Sequence, residues 1–238
     1  MSLKIRSFSL SVSRVIGVIL LTAIAICLIK VFIWEQVYYS EKEGTIRNPV
    51  INAIDNSTSV EESAELDETP ITESQITEYT VASDKPRYLT IPSIGVNKAR
   101  ILEIGLINDN KLDAPVSIYD VGWYRDSSKP GEGGTLLMDG HNGGPTTAGV
   151  FKNLDSLAVG DQIMLERGDG AIFTYEVVEN NIMNLEDAEN YMPSMVSSPI
   201  SGQESLSLIT CAGDWTNTQH TYLSRAMVRA ILVSQTNN

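Results

Sequence analysis

Between residues 88 and 233 the sequence is cut into short runs rich in aliphatic and β-branched residues, each stopped by turn formers. The runs are 88–91 before Pro92, 99–104, 134–138 before Asp139-Gly140, 162–167 before Gly168-Asp169-Gly170, 172–179, 206–211 and 225–233. Such spacing leaves little room for helices of ordinary length and predicts an all-β fold, a barrel or a sandwich. The sharpest local signal is Ile163 to Arg167, the Gly168-Asp169-Gly170 turn, then Ile172 to Val177, which reads as a hairpin. Two stretches read as helical, around 150–157 and around 185–192. The folded region, taken as 87–238, has the size of one domain with one good core, and no internal repeat is visible.

Upstream, residues 15–34 are apolar apart from Gly17, Thr22 and Lys30, long enough at helical rise to cross a bilayer core. Lys4, Arg6 and Arg14 precede this stretch, so residues 1–14 are expected in the cytoplasm and the rest of the chain outside. Lys30 near the outer end can snorkel beside Trp34, Tyr38 and Tyr39. A cleaved signal peptide is disfavoured because bulky Val31, Phe32, Ile33 and Trp34 follow. Cys27 as a lipid acceptor is disfavoured by Ile26, which stands where a small residue belongs. Residues 35–86 turn acidic and polar, as in Glu61-Glu62-Ser63-Ala64-Glu65, and are expected to form a flexible stalk. A coil of about 50 residues reaches roughly 40 Å. The formal net charge of −13 argues against nucleic acid as a partner, since phosphates demand a basic surface.

Cys211 is the only cysteine after the apolar stretch, and a solitary thiol outside the cell is open to oxidation unless chemistry requires it. A small buried hydrophobe is the other reading. Alternation along 205–211 puts Leu206, Leu208 and Thr210 on one face and Ser207, Ile209 and Cys211 on the other. Along 225–233, Ala226, Val228, Ala230 and Leu232 oppose Arg225, Met227, Arg229 and Ile231. If the first set in each run is core, Cys211 and Arg225 both point outward, and antiparallel pairing brings them together. The connection 212–224 is long for a hairpin and carries Trp215, a plausible groove wall. His141 sits at the end of another run on the permissive loop Asn142-Gly143-Gly144-Pro145; His220 is the other histidine.

Together these residues resemble the sortases, cell-surface cysteine transpeptidases of bacteria, most like class F and related members. Leu208-Ile209-Thr210-Cys211 is similar to the strand end bearing the family's nucleophile. Tyr222-Leu223-Ser224-Arg225 then Met227-Val228-Arg229-Ala230 resembles the next strand with its arginine, and Gly140-His141 the histidine loop. Val150-Phe151-Lys152-Asn153-Leu154 with Val159-Gly160-Asp161, Ile91-Pro92-Ser93-Ile94-Gly95-Val96 and Val121-Gly122-Trp123-Tyr124 resemble further family segments. Ala212-Gly213-Asp214-Trp215 is what points toward class F.

The resemblance implies a closed eight-stranded barrel with one or two short helices. Cys211 would be the nucleophile, His141 the general acid and base, and Arg225 the stabiliser of the substrate oxyanion. Thr210 would touch substrate, and 184–202 would form the loop that grips it. The implied reaction is cleavage of a Leu-Pro-x-Thr-Gly type signal after Thr and transfer to an amine. Partners would be surface proteins bearing a C-terminal signal, a peptidoglycan precursor or other amine acceptor, and the bilayer through the N-terminal helix, with the catalytic domain outside the cell. No cofactor or metal is called for. A cysteine endopeptidase acting by hydrolysis shares every one of these residues. An L,D-transpeptidase needs a His-Gly-Cys arrangement absent around Cys211, and a non-enzymatic adhesion or sensing domain would leave the three residues structural.

Overall fold

The structure is a computed structural model that describes residues 66–107, 111–218 and 221–237. Eight strands close into a barrel: β1 (Pro86–Ile91), β2 (Val96–Ile104), β3 (Val121–Tyr124), β4 (Thr135–Gly140), β5 (Gln162–Arg167), β6 (Ile172–Asn184), β7 (Ser205–Thr216) and β8 (Thr221–Thr236). Their order around the barrel is β1-β2-β3-β4-β7-β8-β6-β5. Two neighbouring pairs are parallel, β2 with β3 and β4 with β7. Parallel neighbours require a long crossover, and the one from β4 to β7 spans the hairpin β5–β6 and a helix. That hairpin forms as its turn residues predict, with Glu166 opposite Ile172.

Closure converts the alternating faces into an inside and an outside. Leu89, Ile91, Trp123, Leu136, Met138, Leu165, Phe173, Tyr175, Leu206, Leu208, Val228 and Ala230 fill the interior. Each large side chain fully withdrawn from water contributes roughly 1.5–3 kcal/mol. The outside is not bare. Helix α2 (Leu185–Met195), capped by Asn184 accepting from the Asp187 N–H, lays Ala188, Met192 and Met195 over Tyr124, Leu137, Ile209 and Met227. Arg229 fastens this layer, donating to Glu179 and to the Ser197 carbonyl.

The expected elements shift in four places. Residues 150–157 provide only the 3-10 turn Leu154–Ser156, because Leu154 is buried and Asn180 claims the carbonyls of Leu154, Asp155 and Leu157. The segment 184–202, a loop by the resemblance, is mainly α2, as the helical reading of 185–192 expects. The connection 212–224 is mostly paired, since Trp215 faces Tyr222 and Thr216 faces Thr221 across a bulge, with Gly213 at φ 73. Part of the stretch expected to be flexible stalk, residues 66–85, is instead folded against the barrel. There α1 (Glu73–Thr77) begins at a Thr72–Gln75 capping box. Asp67 bridges to Ser117, and Tyr79 donates to the Ile101 carbonyl. The expected cytoplasmic segment, the anchor at 15–34 and the stalk up to 65 lie outside the described residues. Among those that are described, no helix is long and apolar enough to cross a membrane.

Candidate active site

Three adjacent strands, β4, β7 and β8, carry the site. Cys211 pairs with Arg225 across β7 and β8. On the other side Asp139 pairs with Ile209 in the parallel β4–β7 ladder, so one further step sets Gly140 beside Thr210 and two set His141 beside Cys211. The Thr210 hydroxyl pins that extrapolation, donating to the Gly140 carbonyl at 2.7 Å. Cys211 and Arg225 on their strands and His141 just past the end of β4 thus come to one level. Outer-face positions before Cys211 are covered by α2: Ile209 is buried, whereas Cys211 is half-buried and its thiol free.

His141 is held from several sides. Its Nε2 lies 2.6 Å from the Pro115 carbonyl, which can only accept, so Nε2 carries the proton and Nδ1 is left for proton exchange. Its own carbonyl accepts from the Phe151 N–H at 2.9 Å. Next to it, Asn142 donates from Nδ2 to the Cys211 carbonyl at 2.6 Å, and the Asn142 carbonyl accepts from Gly149 at 2.8 Å. A side chain on Gly149 would collide with the His141 carbonyl, and one on Gly140 would come within 2.6 Å of Phe151. The close packing of this loop therefore requires both glycines.

The N-terminal segment reinforces the same framework. Asp67 donates its N–H to the Val116 carbonyl and accepts from the Ile118 N–H, holding the residues that follow Pro115. The Glu68 carboxylate accepts from the backbone N–H groups of Thr146 at 2.8 Å and Thr147 at 2.9 Å, so one segment ties both the Pro115 stretch and the histidine loop. Arg225 curls toward its own strand, with Nη1 donating to Tyr222 and Ser224 carbonyls at 3.1 and 2.9 Å and Nη2 to the Thr221 hydroxyl at 3.4 Å. Among the described residues, none accepts a hydrogen bond from its Nε.

Burial pushes the Cys211 thiol above its ordinary range; the Arg225 charge opposes that rise and the Asp139 charge adds to it. Burial also raises Asp139 to about 6, against the lowering influence of His141, the Gly140 N–H and Arg225, while Asp113 raises it. Such a site can acylate a thiol and exchange a proton at an imidazole. Among the described residues no cluster of His, Cys, Asp and Glu could hold a metal ion.

Of the expected site residues, Cys211, His141 and Arg225 converge. Thr210 is buried, with its hydroxyl bonded to the Gly140 carbonyl. His220 lies outside the described residues. Sequence reasoning missed Asp139, Asn142 and the Pro115 carbonyl. Asp139 shares a strand face with His141 at spacing two, which was a readable signal; nothing local announces the other two, because their partners are 69 and 26 residues away.

The Sortase domain family matches residues 89–233 of this chain. Sortase D of Bacillus subtilis (strain 168) is 31% identical over 93 residues, covering 35% of this chain and 44% of that protein, so the match spans under half of that relative's length. Similar solved structures include the SrtA sortase from Actinomyces oris, with TM-score 0.47 and 19% identity over 67% of this chain and 86% of that one. A Clostridium perfringens Sortase D5 transpeptidase has TM-score 0.45 and 24% identity over 69% and 90%. Sortase A from Corynebacterium diphtheriae has TM-score 0.47 and 24% identity over 64% and 63%.

Proposed function

Because this chain belongs to the sortase family, we propose that it is a membrane-anchored cysteine transpeptidase that cuts a Leu-Pro-x-Thr-Gly type signal after Thr and joins the acyl group to an amine. The observation that carries the reading is the shared level of Cys211 on β7, Arg225 on β8 and His141 just past the end of β4, supported by the Cys211–Arg225 register and the Thr210–Gly140 bond.

The Cys211 thiolate attacks the Thr carbonyl carbon, and the Arg225 guanidinium stabilises the oxyanion. The C–N bond breaks as His141 gives its proton to the departing Gly amine, leaving a thioester. An incoming amine from a peptidoglycan precursor or another surface protein loses its proton to His141 and attacks that thioester. The thiolate then departs. A bilayer anchor at residues 15–34 would hold the site at the outer membrane face, near signal and acceptor. Water in place of the amine gives the hydrolytic alternative.

The test is to incubate the full-length chain in detergent with such a peptide, with and without an amine, and to follow Cys211 by mass spectrometry. An acyl adduct absent from Cys211→Ala, and an amine-dependent product, are expected. No adduct on the wild-type thiol would overturn the assignment, and a hydrolytic product unaffected by amine would shift it to a peptidase.

A further inference from the structure

A cavity of about 420 Å³ opens between the N-terminal segment, the start of β2 and the second half of the histidine loop. Ile76, Ile94, Val96 and Val150 give it an apolar wall, and Lys98, Arg100 and Lys152 bring cations to it. No carboxylate lines it among the described residues, in a chain whose formal net charge is −13. Arg100 is engaged by Asp120 through two hydrogen bonds. Lys152 is exposed and forms no ion pair among the described residues. Lys98 lies 4.0 Å from Glu166, which Arg87 also approaches, at 3.5 Å. Two loosely held ammonium groups thus border an apolar hollow.

The backbone presents Lys98 in an unusual way. Ile91 pairs with Val96 and Leu89 with Ala99, so Asn97 and Lys98 together oppose Thr90 in a bulge, a device that re-aims a side chain. Lys98 takes φ 49, the only positive value at a non-glycine among the described residues, and its N–H donates to the Thr90 hydroxyl at 3.1 Å. Glycine adopts this conformation freely; a lysine does so at a cost characteristic of positions that clamp ligands. The cavity also shares a level with the site. One step beyond the Ile101–Val121 and Val121–Gly140 pairings, Arg100 meets Asp120 and Asp120 stands beside His141. With strands about 4.8 Å apart, the rim from Arg100 to Cys211 is roughly 15 Å long.

We propose that this cavity seats the carboxylate end of the amine-bearing acceptor: a short extended peptide whose carboxylate meets Lys98 and Lys152, whose small apolar side chains lie on Val96 and Val150, and whose amine reaches the thioester on Cys211. The inference rests on the transpeptidase reading, whose acceptor it specifies. At about 3.3 Å per residue, an extended chain covers that rim with about four to five residues. Amine and carboxylate therefore belong at opposite ends of a peptide of that length.

The full-length chain in detergent is given a Leu-Pro-x-Thr-Gly type donor and the acceptor Gly-Gly-Ala-Ala-Ala, either as the free acid or as the C-terminal amide, and transfer is followed by mass spectrometry. The acid is expected to show a KM lower by roughly three- to tenfold. That advantage shrinks with salt and falls to near unity in Lys98→Gly and in Lys152→Ala. Lys98→Gly relieves the left-handed backbone, so its loss of discrimination comes without a fall in thermal midpoint. Triglycine, too short to span the rim, is expected to show no preference for the acid. Equal KM for the long acid and amide in wild type, or a preference that both lysine variants retain, overturns the proposal. Should Lys98→Gly not fold, Lys152→Ala, at an exposed position, decides. If no transfer is seen at all, calorimetric titration of Cys211→Ala with the same two peptides separates the failures. Binding of the acid that depends on Lys98 and Lys152 keeps the carboxylate site and defeats the transpeptidase reading, whereas equal or absent binding of acid and amide removes the site.

Discussion

At the scale of single residues, the site sets two opposing charges around one sulfur. Arg225 lowers the cost of a thiolate that burial and Asp139 both disfavour, and its planar fork also offers donors to an oxyanion. A lysine keeps the charge but not the fork. Arg225→Lys is therefore expected to lose about a hundredfold or more of transfer rate with an unchanged unfolding midpoint; near-normal turnover in a peptide assay would remove the oxyanion role. Asn142 works on the other side of the sulfur by donating to the Cys211 carbonyl. Its replacement by alanine leaves that acceptor and the histidine loop less tied, and a drop in acylation rate larger than the drop in Tm is the expected outcome.

At the scale of elements, two devices keep the histidine loop and its surroundings in place. The Glu68 clamp is exposed, so its removal should hardly change global stability. Glu68→Ala is expected to slow acylation several-fold through freer motion of residues 142–149, with a thermal midpoint close to wild type; an unaltered acylation rate would reduce the clamp to a surface contact. Arg100 and Asp120 form the second, a two-pronged pair at 2.9 and 2.7 Å in which Asp120 is buried. Asp120→Ala strands the guanidinium and is expected to cost about 3–5 kcal/mol in urea unfolding. The same contrast explains what the sequence made legible. Period-two alternation in β7 and β8 placed Leu206, Leu208, Val228 and Cys211 on their correct faces, because that signal is local. It failed to show that Ile209 and Met227 are covered, since the cover, α2, comes from another part of the chain. The four-residue β3 escaped the run pattern because all its residues are buried, so nothing alternates. The N-terminal segment from residue 66 looked like stalk because its hold on the barrel is made largely of hydrogen bonds from backbone groups, the Glu68 carboxylate and the Tyr79 hydroxyl, which leave no hydrophobic period.

For the whole molecule, placing a carboxylate on the floor of the site has a consequence for stability that can be separated from catalysis. Asp139 is raised from 3.8 to about 6 in the folded chain, so the folded state binds its proton more tightly than the unfolded state does. Its contribution is fully present below the unfolded value and is lost as pH rises through about 6. The folded chain is left with a deficit of about 3 kcal/mol at most when the group is ionised. Asparagine keeps the shape and an acceptor for the Gly140 N–H but never acquires the charge. Asp139→Asn is accordingly expected to be more stable than wild type at pH 8, and the difference should shrink by about 1–2 kcal/mol at pH 5. Urea unfolding of both proteins at the two pH values measures this directly, and every other carboxylate cancels in the comparison. A difference that does not change with pH, or a variant less stable at pH 8, would mean that the aspartate is paired well enough to offset its burial.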